Sequence, residues 1–420
     1  MIGDPFIGQG VHITLDHLFR RAALREPQRL ALRGTSLSSG RPCLLSFAEM
    51  DRAVGALAAR LRELGLPTNA VVAIQLPNTI EGVITLMGVL RAGMIAAPLP
   101  AFWPRREIVA ALASIGAKAI IGTAANADTL MHAAAELFPV RYVCGFGDHL
   151  ADGMVSLAAI LAPGGATSEP PARTRYAADQ IAAVTFDTTA HGLVGVARNH
   201  GELIAGGIEV MRAAQLAPNS TMLSTLVPGS FAAVALVIVP WLLTGGTLAL
   251  QQPFDADDFA AQSRALGECH LLLPGPLLAP LAEAGLLGTG VKSIVALWRA
   301  PERLADVPDW HGEAPLTDVT AFGEVGLFAA RRGGGAANTT IETGLSATGT
   351  MLLRGAMVSA QAFPPGAPQL ATDADGFVDT GFPCRVEQDS VVITGPPAAL
   401  VSGAYRSALD KLRGATVAAA

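Results

Sequence analysis

The stretch from Val184 to His200 holds the residues whose types and order most suggest chemistry. It is typical of a short apolar strand, a loop rich in threonine and glycine, and a helix that starts near Asn199. A small-residue loop between a strand and a helix lets backbone N–H groups converge on a phosphate. Such a cradle normally also carries a lysine, whereas this loop contains Asp187 and His191. The alternative is that the segment is only a turn between a strand and a helix.

Three polar residues outside the loop are further candidates for chemistry: His200, Ser230 and Glu324. A serine activated by a histidine and an aspartate can act as a nucleophile. Together with Asp187 and His191, these residues could therefore support nucleophilic catalysis. The alternative is that none of them has a catalytic role.

The composition predicts a soluble α/β protein, since 51% of the 420 residues are hydrophobic and only 15% are charged. Continuous apolar strands of this kind suit large buried sheets. The formal net charge of −6 argues against nucleic acid as a partner, because no basic surplus is available to neutralise phosphates. Four scattered cysteines without a CxxC pair predict free thiols in a reducing compartment, and hence a cytoplasmic protein.

One long uncharged segment, Phe231 to Leu250, has the apolar character of a possible membrane span. Pro240 and Gly245-Gly246 interrupt it, so we expect a short helix followed by a strand instead. Asp4 and Pro5 also interrupt any early apolar run, which argues against a signal peptide. The sequence therefore predicts neither a membrane span nor a secretory leader.

Strand and helix patterns alternate along most of the chain, which predicts an α/β fold with two mostly parallel sheets flanked by helices. From about residue 335 short β segments alternate with glycine turns, which predicts a smaller β subdomain. The predicted organisation is a first α/β subdomain over 1–165, a second over 166–335, the small β subdomain over 336–395, and a hinge and tail over 396–420.

Two helix starts are predicted from capping residues. Ser46 and Glu49 have the spacing of a capping box, in which each side chain accepts a backbone hydrogen bond from the other residue. The helix that follows is expected to end at Gly65. Pro77-Asn78 is predicted to cap the next helix.

Several short motifs occur along the chain in a recognisable order. They are Leu45–Met50 with Leu64-Gly65, Leu76-Pro77-Asn78, Pro240–Thr247, Met351–Gly355 and Thr380-Gly381. As a set they resemble the large N-terminal domain of the adenylate-forming acid–CoA ligases, the superfamily of acyl-CoA synthetases, luciferases and peptide-synthetase adenylation domains. The resemblance implies a two-sheet α/β fold with a small β subdomain. It also implies ATP with Mg²⁺ as cofactor, formation of an acyl-adenylate, and transfer of the acyl group to CoA or a carrier protein.

The family's phosphate loop, TSGTTGxPKG, aligns with this chain at Gly195, and Thr189 is the other match. Val194 takes the position of the lysine, and Asp187 takes that of the serine. A valine cannot face the β- and γ-phosphates as a lysine does, and an aspartate adds negative charge beside a triphosphate. His191 replaces the last glycine of the loop. The resemblance therefore places a nucleotide position here but casts doubt on ATP as its ligand.

The family's YGxTE motif aligns with residues 322–326. Gly323 matches, but Val325 and Gly326 occupy the positions of the threonine and of the glutamate that helps to hold Mg²⁺. Glu324 lies two residues before the glutamate position. It could reach the same face, or it could be an exposed loop carboxylate.

Three more family positions bear on the nucleotide and the acyl group. In the TGD motif Thr380 matches, whereas Phe382 replaces the aspartate that binds the ribose hydroxyls. Trp298 replaces a glycine beside the adenine, where it could block a purine or simply fill the core. Ser230 lies where the family usually has a histidine beside the acyl pocket, and the adjacent Gly229 is expected to leave room for a ligand.

The chain ends about where the family's mobile C-terminal domain, with its adenylation lysine, would begin, and residues 395–405 resemble a worn hinge. We therefore expect a pseudo-ligase that binds an acyl or CoA-type small molecule, a partner protein or a carrier protein. One alternative is an active acid–CoA ligase or acyl-transfer enzyme with altered site chemistry, completed by a separate chain. Another is a structural subunit of an assembly.

Overall fold

The computed structural model describes residues 13–161, 179–189, 192–299, 310–334, 340–361, 363–367, 370–387 and 390–395. The helices are α1 Leu15–Arg25, α2 Phe47–Glu63, α3 Ile80–Arg91, α4 Arg105–Ile115, α5 Ala127–Ala135, α6 His200–Ala214, α7 Phe231–Ala233, a π-helical turn Val234–Ile238, α8 Val239–Thr244, α9 Ala256–Leu266 and α10 Leu278–Glu283. Short 3₁₀ turns lie at Ala124–Asn126, Ala158–Leu161 and Gly275–Leu277.

The described strands form three sheets. They are β1 Leu30–Thr35, β2 Pro42–Ser46, β3 Val71–Ile74, β4 Ile95–Pro98, β5 Ala119–Thr123, β6 Tyr142–Phe146, β7 Val155–Ser156, β8 Ile181–Thr189, β9 Gly192–Asn199, β10 Thr221–Ser224, β11 Thr247–Leu250, β12 Cys269–Pro274, β13 Val291–Arg299, β14 Leu316–Phe322, β15 Gly326–Arg331, β16 Glu342–Leu345, β17 Thr350–Arg354, β18 Val378–Glu387 and β19 Ser390–Ile393.

The seven-stranded sheet has the order β7-β6-β5-β3-β4-β8-β9. All its neighbouring strands are parallel except β8 and β9, which form an antiparallel hairpin at one edge. The strands at its centre are buried on both faces, as expected when helices cover a parallel sheet.

The eight-stranded sheet has the order β15-β14-β13-β12-β10-β11-β1-β2. Its six inner strands are parallel, and the edge strands β2 and β15 are antiparallel to their neighbours. Strand β1 lies in this sheet although it precedes residue 165, whereas β8 and β9 lie in the other sheet although they follow it. Each large sheet therefore contains strands from both sides of the 165/166 boundary. The division into subdomains at that boundary stays a prediction.

A third, four-stranded antiparallel sheet has the order β16-β17-β18-β19. The predicted fold class is thus confirmed: two mostly parallel sheets with flanking helices, and a small antiparallel β sheet. The largest cluster of buried hydrophobic side chains includes residues from all three sheets, so the sheets share a core.

The capping box at the start of α2 forms as predicted. The Ser46 hydroxyl accepts from the Glu49 amide at 3.2 Å, and the Glu49 carboxylate accepts from the Ser46 amide at 2.8 Å. Helix α3 differs, because its N-cap is Thr79 and not Pro77-Asn78. Asn78 instead donates from its side chain to the Ser224 carbonyl on β10 at 2.8 Å. A residue that the sequence offers as a cap is used here to join the two large sheets.

The apolar segment after Ser230 is one continuous helical stretch followed by β11, so Pro240 does not end the helix. The π-helical turn precedes the proline, and such a turn shifts the backbone hydrogen-bond register, which accommodates the missing N–H. The Trp241 ring stacks on Phe47 with centroids 6.0 Å apart, so the segment belongs to the protein core. Among the described residues, none of the helices is long and apolar enough to cross a membrane.

The packing of α6 against the π-helical turn and α8 depends on Gly207. A Cβ atom there would overlap the Val239 side chain. We expect Gly207→Ala to lower the free energy of unfolding by about 1–3 kcal/mol, because overpacking a well-filled core forces neighbours to move. Urea denaturation measures the change. The matched control is Gly55→Ala on α2, where the nearest atom lies at 3.8 Å. It should be neutral or stabilise by up to about 1 kcal/mol, and equal losses in both variants would contradict this packing argument.

Candidate functional site

The segment singled out in the sequence is mostly a β-hairpin. Strands β8 and β9 pair from Ile181↔Asn199 to Thr189↔Gly192, with a register shift between Ile181 and Ala183 and with Asp187 opposite Val194. The prediction of an open loop up to Asn199 was therefore wrong. Its physical reason is that Leu193, Val194 and Val196 favour an extended, half-buried strand.

The helix start near Asn199 is confirmed. Asn199 is the N-cap of α6, and its side chain accepts from the Glu202 amide at 2.8 Å while Glu202 accepts from the Asn199 amide at 2.8 Å. This box fixes the direction in which β9 enters the helix.

Gly195, the family-matched glycine, is buried in the hairpin. A Cβ atom there would lie 3.0 Å from Val184 Cγ1 and 3.2 Å from Ile115 Cγ2. The position therefore has a packing reason to be glycine. Thr189, the other match, lies at the end of β8, and His191 lies outside the described residues.

Asp187 connects the hairpin to the turn that precedes β15. Its Oδ2 accepts from the backbone amide of Glu324 at 2.9 Å. Gly323 in this turn has φ +52°, and a Cβ atom there would lie 3.0 Å from both Cγ and Oδ1 of Asp187. The carboxylate therefore occupies space that only a glycine leaves open. The structure thus brings Asp187, Gly323 and Glu324 together, from two motifs that are 137 residues apart.

Glu324 is buried, with 6% of its surface exposed. Its Oε2 accepts from the Phe231 amide at the start of α7 at 2.8 Å. Burial raises the pKa of this carboxyl to about 7, although the nearby Arg198 acts in the opposite direction. The alternative of an exposed loop carboxylate was therefore wrong. The turn faces inward because Asp187 and the start of α7 both bind it through hydrogen bonds.

Arg198 is a residue of this site that the sequence interpretation missed. It is 1% exposed, and its guanidinium lies 3.8 Å from the centroid of the Phe231 ring. Its Nη2 donates to the carbonyl oxygens of Glu324 and, at 3.0 Å, of Val325. Its Nε and Nη1 have no hydrogen-bond partner among the described residues. Burial lowers the pKa of Arg198 to about 10, which leaves it charged at neutral pH. An arginine within an otherwise apolar strand was the available signal.

Two candidates for nucleophilic chemistry have structural partners. The His200 Nδ1 accepts from the Leu15 amide on α1 at 3.3 Å, and burial lowers the pKa of this histidine to about 4. Ser230 is the N-cap of α7, where its hydroxyl accepts from the Ala233 amide at 3.3 Å. A Cβ on Gly229 would lie 3.3 Å from the Leu99 carbonyl oxygen, so this glycine packs on protein backbone instead of leaving room for a ligand.

Trp298 lies near the end of β13 and is buried. Its indole Nε1 donates to Asp318 Oδ1 at 2.8 Å, and the ring covers Gly275, where a Cβ atom would overlap it. The side chain belongs to a cluster of buried hydrophobic residues with Phe259 and Leu278. These contacts fit the core-filling interpretation, and the obstruction of a purine stays a prediction.

Thr380 and Phe382 lie at the point where the small sheet meets the eight-stranded sheet. The Thr380 hydroxyl donates to the Met351 carbonyl at 2.8 Å and accepts from the Phe382 amide at 3.2 Å. The Phe382 ring packs edge-on against Phe322 with centroids 5.7 Å apart, and Phe322 packs edge-on against Phe328 at 5.4 Å. Three aromatic rings therefore fill the space between these two sheets.

The described part of the chain contains no group of three or more histidine, cysteine, aspartate or glutamate side chains arranged to hold a metal ion. Glu324 uses one carboxylate oxygen on a backbone amide, and Gly326 has no side chain to offer.

Comparison with known proteins gives a consistent family. The profile of the AMP-binding enzyme family matches residues 19–287. A 4-coumarate–CoA ligase-like protein of rice (Oryza sativa) is 28% identical over 297 residues, which are 67% of this chain and 49% of that protein. The chain thus spans about half the length of this curated relative. Long-chain fatty acid transport protein 1 of Homo sapiens is 35% identical over 108 residues, 26% of this chain and 16% of that protein.

Solved structures agree on the fold. An acyl-CoA synthetase of Brucella canis superposes with a TM-score of 0.75 at 21% identity, covering 93% of this chain and 76% of that one. MatB of Rhodopseudomonas palustris with bound ATP superposes with a TM-score of 0.73 at 18% identity, covering 91% and 79%. Because the family profile matches more than half of the chain, the chain belongs to the AMP-binding enzyme family.

Proposed function

We propose that this chain is a pseudo-ligase: an acyl-CoA synthetase-like protein that has lost ATP-dependent adenylation and that binds an acyl or CoA-type ligand or a partner protein. One observation carries the proposal. Buried groups without charge occupy the three family positions that serve phosphate, Mg²⁺ and ribose, namely Val194, Gly326 and Phe382.

The family's phosphate-lysine position is occupied by an uncharged residue. Val194 is buried on β9 and lies directly opposite Asp187 on β8. Two like charges about 4 Å apart repel by roughly 1–4 kcal/mol at effective dielectric constants between water and a protein surface. A triphosphate near this hairpin would therefore be repelled by an aspartate, whereas the family's phosphate loop attracts it with a lysine.

The Mg²⁺ position does not fit the ion either. Magnesium requires near-ideal octahedral oxygen coordination and retains several waters. Gly326 offers no ligand, and the buried Glu324 carboxylate is engaged by the Phe231 amide. The residues present therefore do not fit Mg²⁺, and we derive no adenylation step through it.

The ribose position is filled by an aromatic ring. Phe382 packs against Phe322, and a phenyl ring cannot accept the hydrogen bonds of two sugar hydroxyls. Losing one preorganised electrostatic group costs an enzyme roughly 10²–10³ in rate, so three such losses together would leave little adenylation. The sheets and helix caps are nevertheless retained, which supports a binding role for the scaffold.

The test is a pyrophosphate-release assay on the full chain with ATP, Mg²⁺ and a panel of short-, medium- and long-chain carboxylic acids, beside an active acyl-CoA synthetase as positive control. We expect no acid-dependent release. Isothermal titration with ATP·Mg²⁺ should likewise show no binding with a dissociation constant below about 1 mM. That constant corresponds to a standard binding free energy of about −4 kcal/mol. Acid-dependent pyrophosphate release by the wild-type chain would overturn the proposal.

The binding half of the proposal has its own measurement. Titration of CoA and of acyl-CoA into the purified chain, with mass spectrometry of any co-purified lipid, should detect a ligand of this class if the scaffold binds a small molecule. Saturable binding of neither, combined with stable association with another protein, would assign the role to a protein partner.

A further inference from the structure

We infer that Asp187 sets the ligand selectivity of this turn: its carboxylate is an internal anion that occupies the backbone amide of the Gly323–Glu324 turn and so excludes a phosphate group from that donor. The inference deepens the proposed function and rests on its placing of the family's phosphate position between the hairpin and this turn.

The first step is the occupancy of the turn. A backbone amide in a turn with a left-handed glycine is a typical anion donor. Here the Glu324 amide already donates to Asp187 Oδ2 at 2.9 Å. The same carboxylate group lies against Gly323, where an added Cβ atom would be 3.0 Å from Asp187 Cγ and Oδ1. A phosphate oxygen cannot reach the same amide without displacing the carboxylate.

The second step is how firmly the carboxylate is held. Asp187 lies within β8 and not in a loop, and it pairs with Val194 on the neighbouring strand β9. Strand β9 runs directly into the Asn199 cap of α6. Because the pairing with β9 holds the backbone at Asp187, we expect only the short side chain to move away from the turn.

The third step is that the cation of this site, Arg198, does not reach a ligand at the turn. Arg198 is buried beneath the turn, where it donates to the carbonyl oxygens of Glu324 and Val325 and covers Phe231. With 1% of its surface exposed, it is out of reach of an incoming ligand. A phosphate that approaches the Glu324 amide therefore meets the Asp187 carboxylate, and the two like charges repel each other.

The experiment is isothermal titration of inorganic pyrophosphate into the full-length wild type and three variants. Asp187→Ser removes the negative charge and the carboxylate that binds the Glu324 amide. The affinity of this variant for pyrophosphate should therefore rise at least tenfold over that of the wild type. Asp187→Asn keeps an oxygen that can accept from the Glu324 amide but removes the charge, so its affinity should fall between the two. The matched control is Asp128→Asn at an exposed site on α5, which should bind as the wild type does.

Circular dichroism and a thermal melt establish which variants are folded. If Asp187→Ser does not fold, the isosteric Asp187→Asn decides the question alone. Unchanged pyrophosphate affinity in folded Asp187→Asn and Asp187→Ser would overturn the inference. Failure of the proposed function would be recognised separately, since it requires acid-dependent pyrophosphate release by the wild-type chain.

Discussion

Replacing Arg91 with leucine is expected to lower the free energy of unfolding by about 2–3 kcal/mol, less than the roughly 3–5 kcal/mol of a fully buried ion pair because the Asp51 side chain is 39% exposed. Arg91 is the last residue of α3, and its guanidinium pairs with Asp16 on α1 at 2.8 Å and with Asp51 on α2 at 2.7 Å. A third hydrogen bond runs to the Asp51 carbonyl at 2.9 Å. The substitution would leave Asp16, whose side chain is 15% exposed, without its cation in a mostly apolar setting.

Urea denaturation followed by far-ultraviolet circular dichroism measures this loss. The matched control is Arg60→Leu on α2, whose pair with Glu63 is largely exposed. Exposed pairs contribute about 0–1 kcal/mol, so this variant should unfold within that range of the wild type. If Arg91→Leu is no less stable than Arg60→Leu, the network does not stabilise the three-helix contact.

The parts of the fold that local chemistry determines were predictable. Ser46 and Glu49 form their capping box because both partners lie within four residues, so no distant contact has to be known. The same holds for the Asn199 cap and for the continuous apolar strands of the parallel sheets. These features depend on short-range hydrogen bonds and on hydrophobic periodicity, which the sequence displays directly.

The parts that depend on distant contacts were not predictable in the same way. Glu324 is preceded by glycine and would be exposed in an isolated turn, and it is buried only because Asp187 and Phe231 bind that turn from other elements. Strand β1 pairs with β11, more than two hundred residues later, so the sheet to which it belongs is not visible in its own residues. Arg198 was overlooked because the sequence pattern of a strand does not show whether a given side chain faces solvent or the protein interior.

The hairpin, the turn and the start of α7 act as one buried polar unit. Arg198 contributes the cation, the turn contributes carbonyl oxygens and the Glu324 carboxylate, and α7 contributes the Phe231 amide and ring. Buried polar groups stabilise a structure only when their partners are well matched, and within the described part of the chain two nitrogen atoms of Arg198 have no hydrogen-bond partner. The protonation state of Glu324 should therefore affect the stability of the whole unit.

The wild type is expected to lose stability as pH rises, and replacing Glu324 with glutamine should remove that loss. The ordinary pKa of this carboxyl is 4.5, and burial raises it to about 7 in the folded chain. Between these values the folded state holds a proton that the unfolded state has released, so the free energy of unfolding falls with increasing pH. From pH 5 to pH 8 this amounts to about 2–3 kcal/mol, at 1.36 kcal/mol per unit of pKa shift.

The charged groups facing Glu324 are Arg198 and Asp187, and Glu202 acts on the same arginine. Burial also raises the pKa of Glu202, so that residue makes the free energy of unfolding fall with pH in the same direction.

The quantity to measure is therefore the difference in the free energy of unfolding between wild type and Glu324→Gln, from urea denaturation at pH 5, 6, 7 and 8. This difference isolates Glu324 because Arg198, Asp187 and Glu202 are present in both proteins. Glutamine keeps an oxygen for the Phe231 amide, so the variant should gain on the wild type steadily with pH. A difference that stays constant from pH 5 to pH 8 would mean that Glu324 releases its proton in the folded chain as readily as in the unfolded one, and the buried unit would then have to contain a compensating cation closer than Arg198.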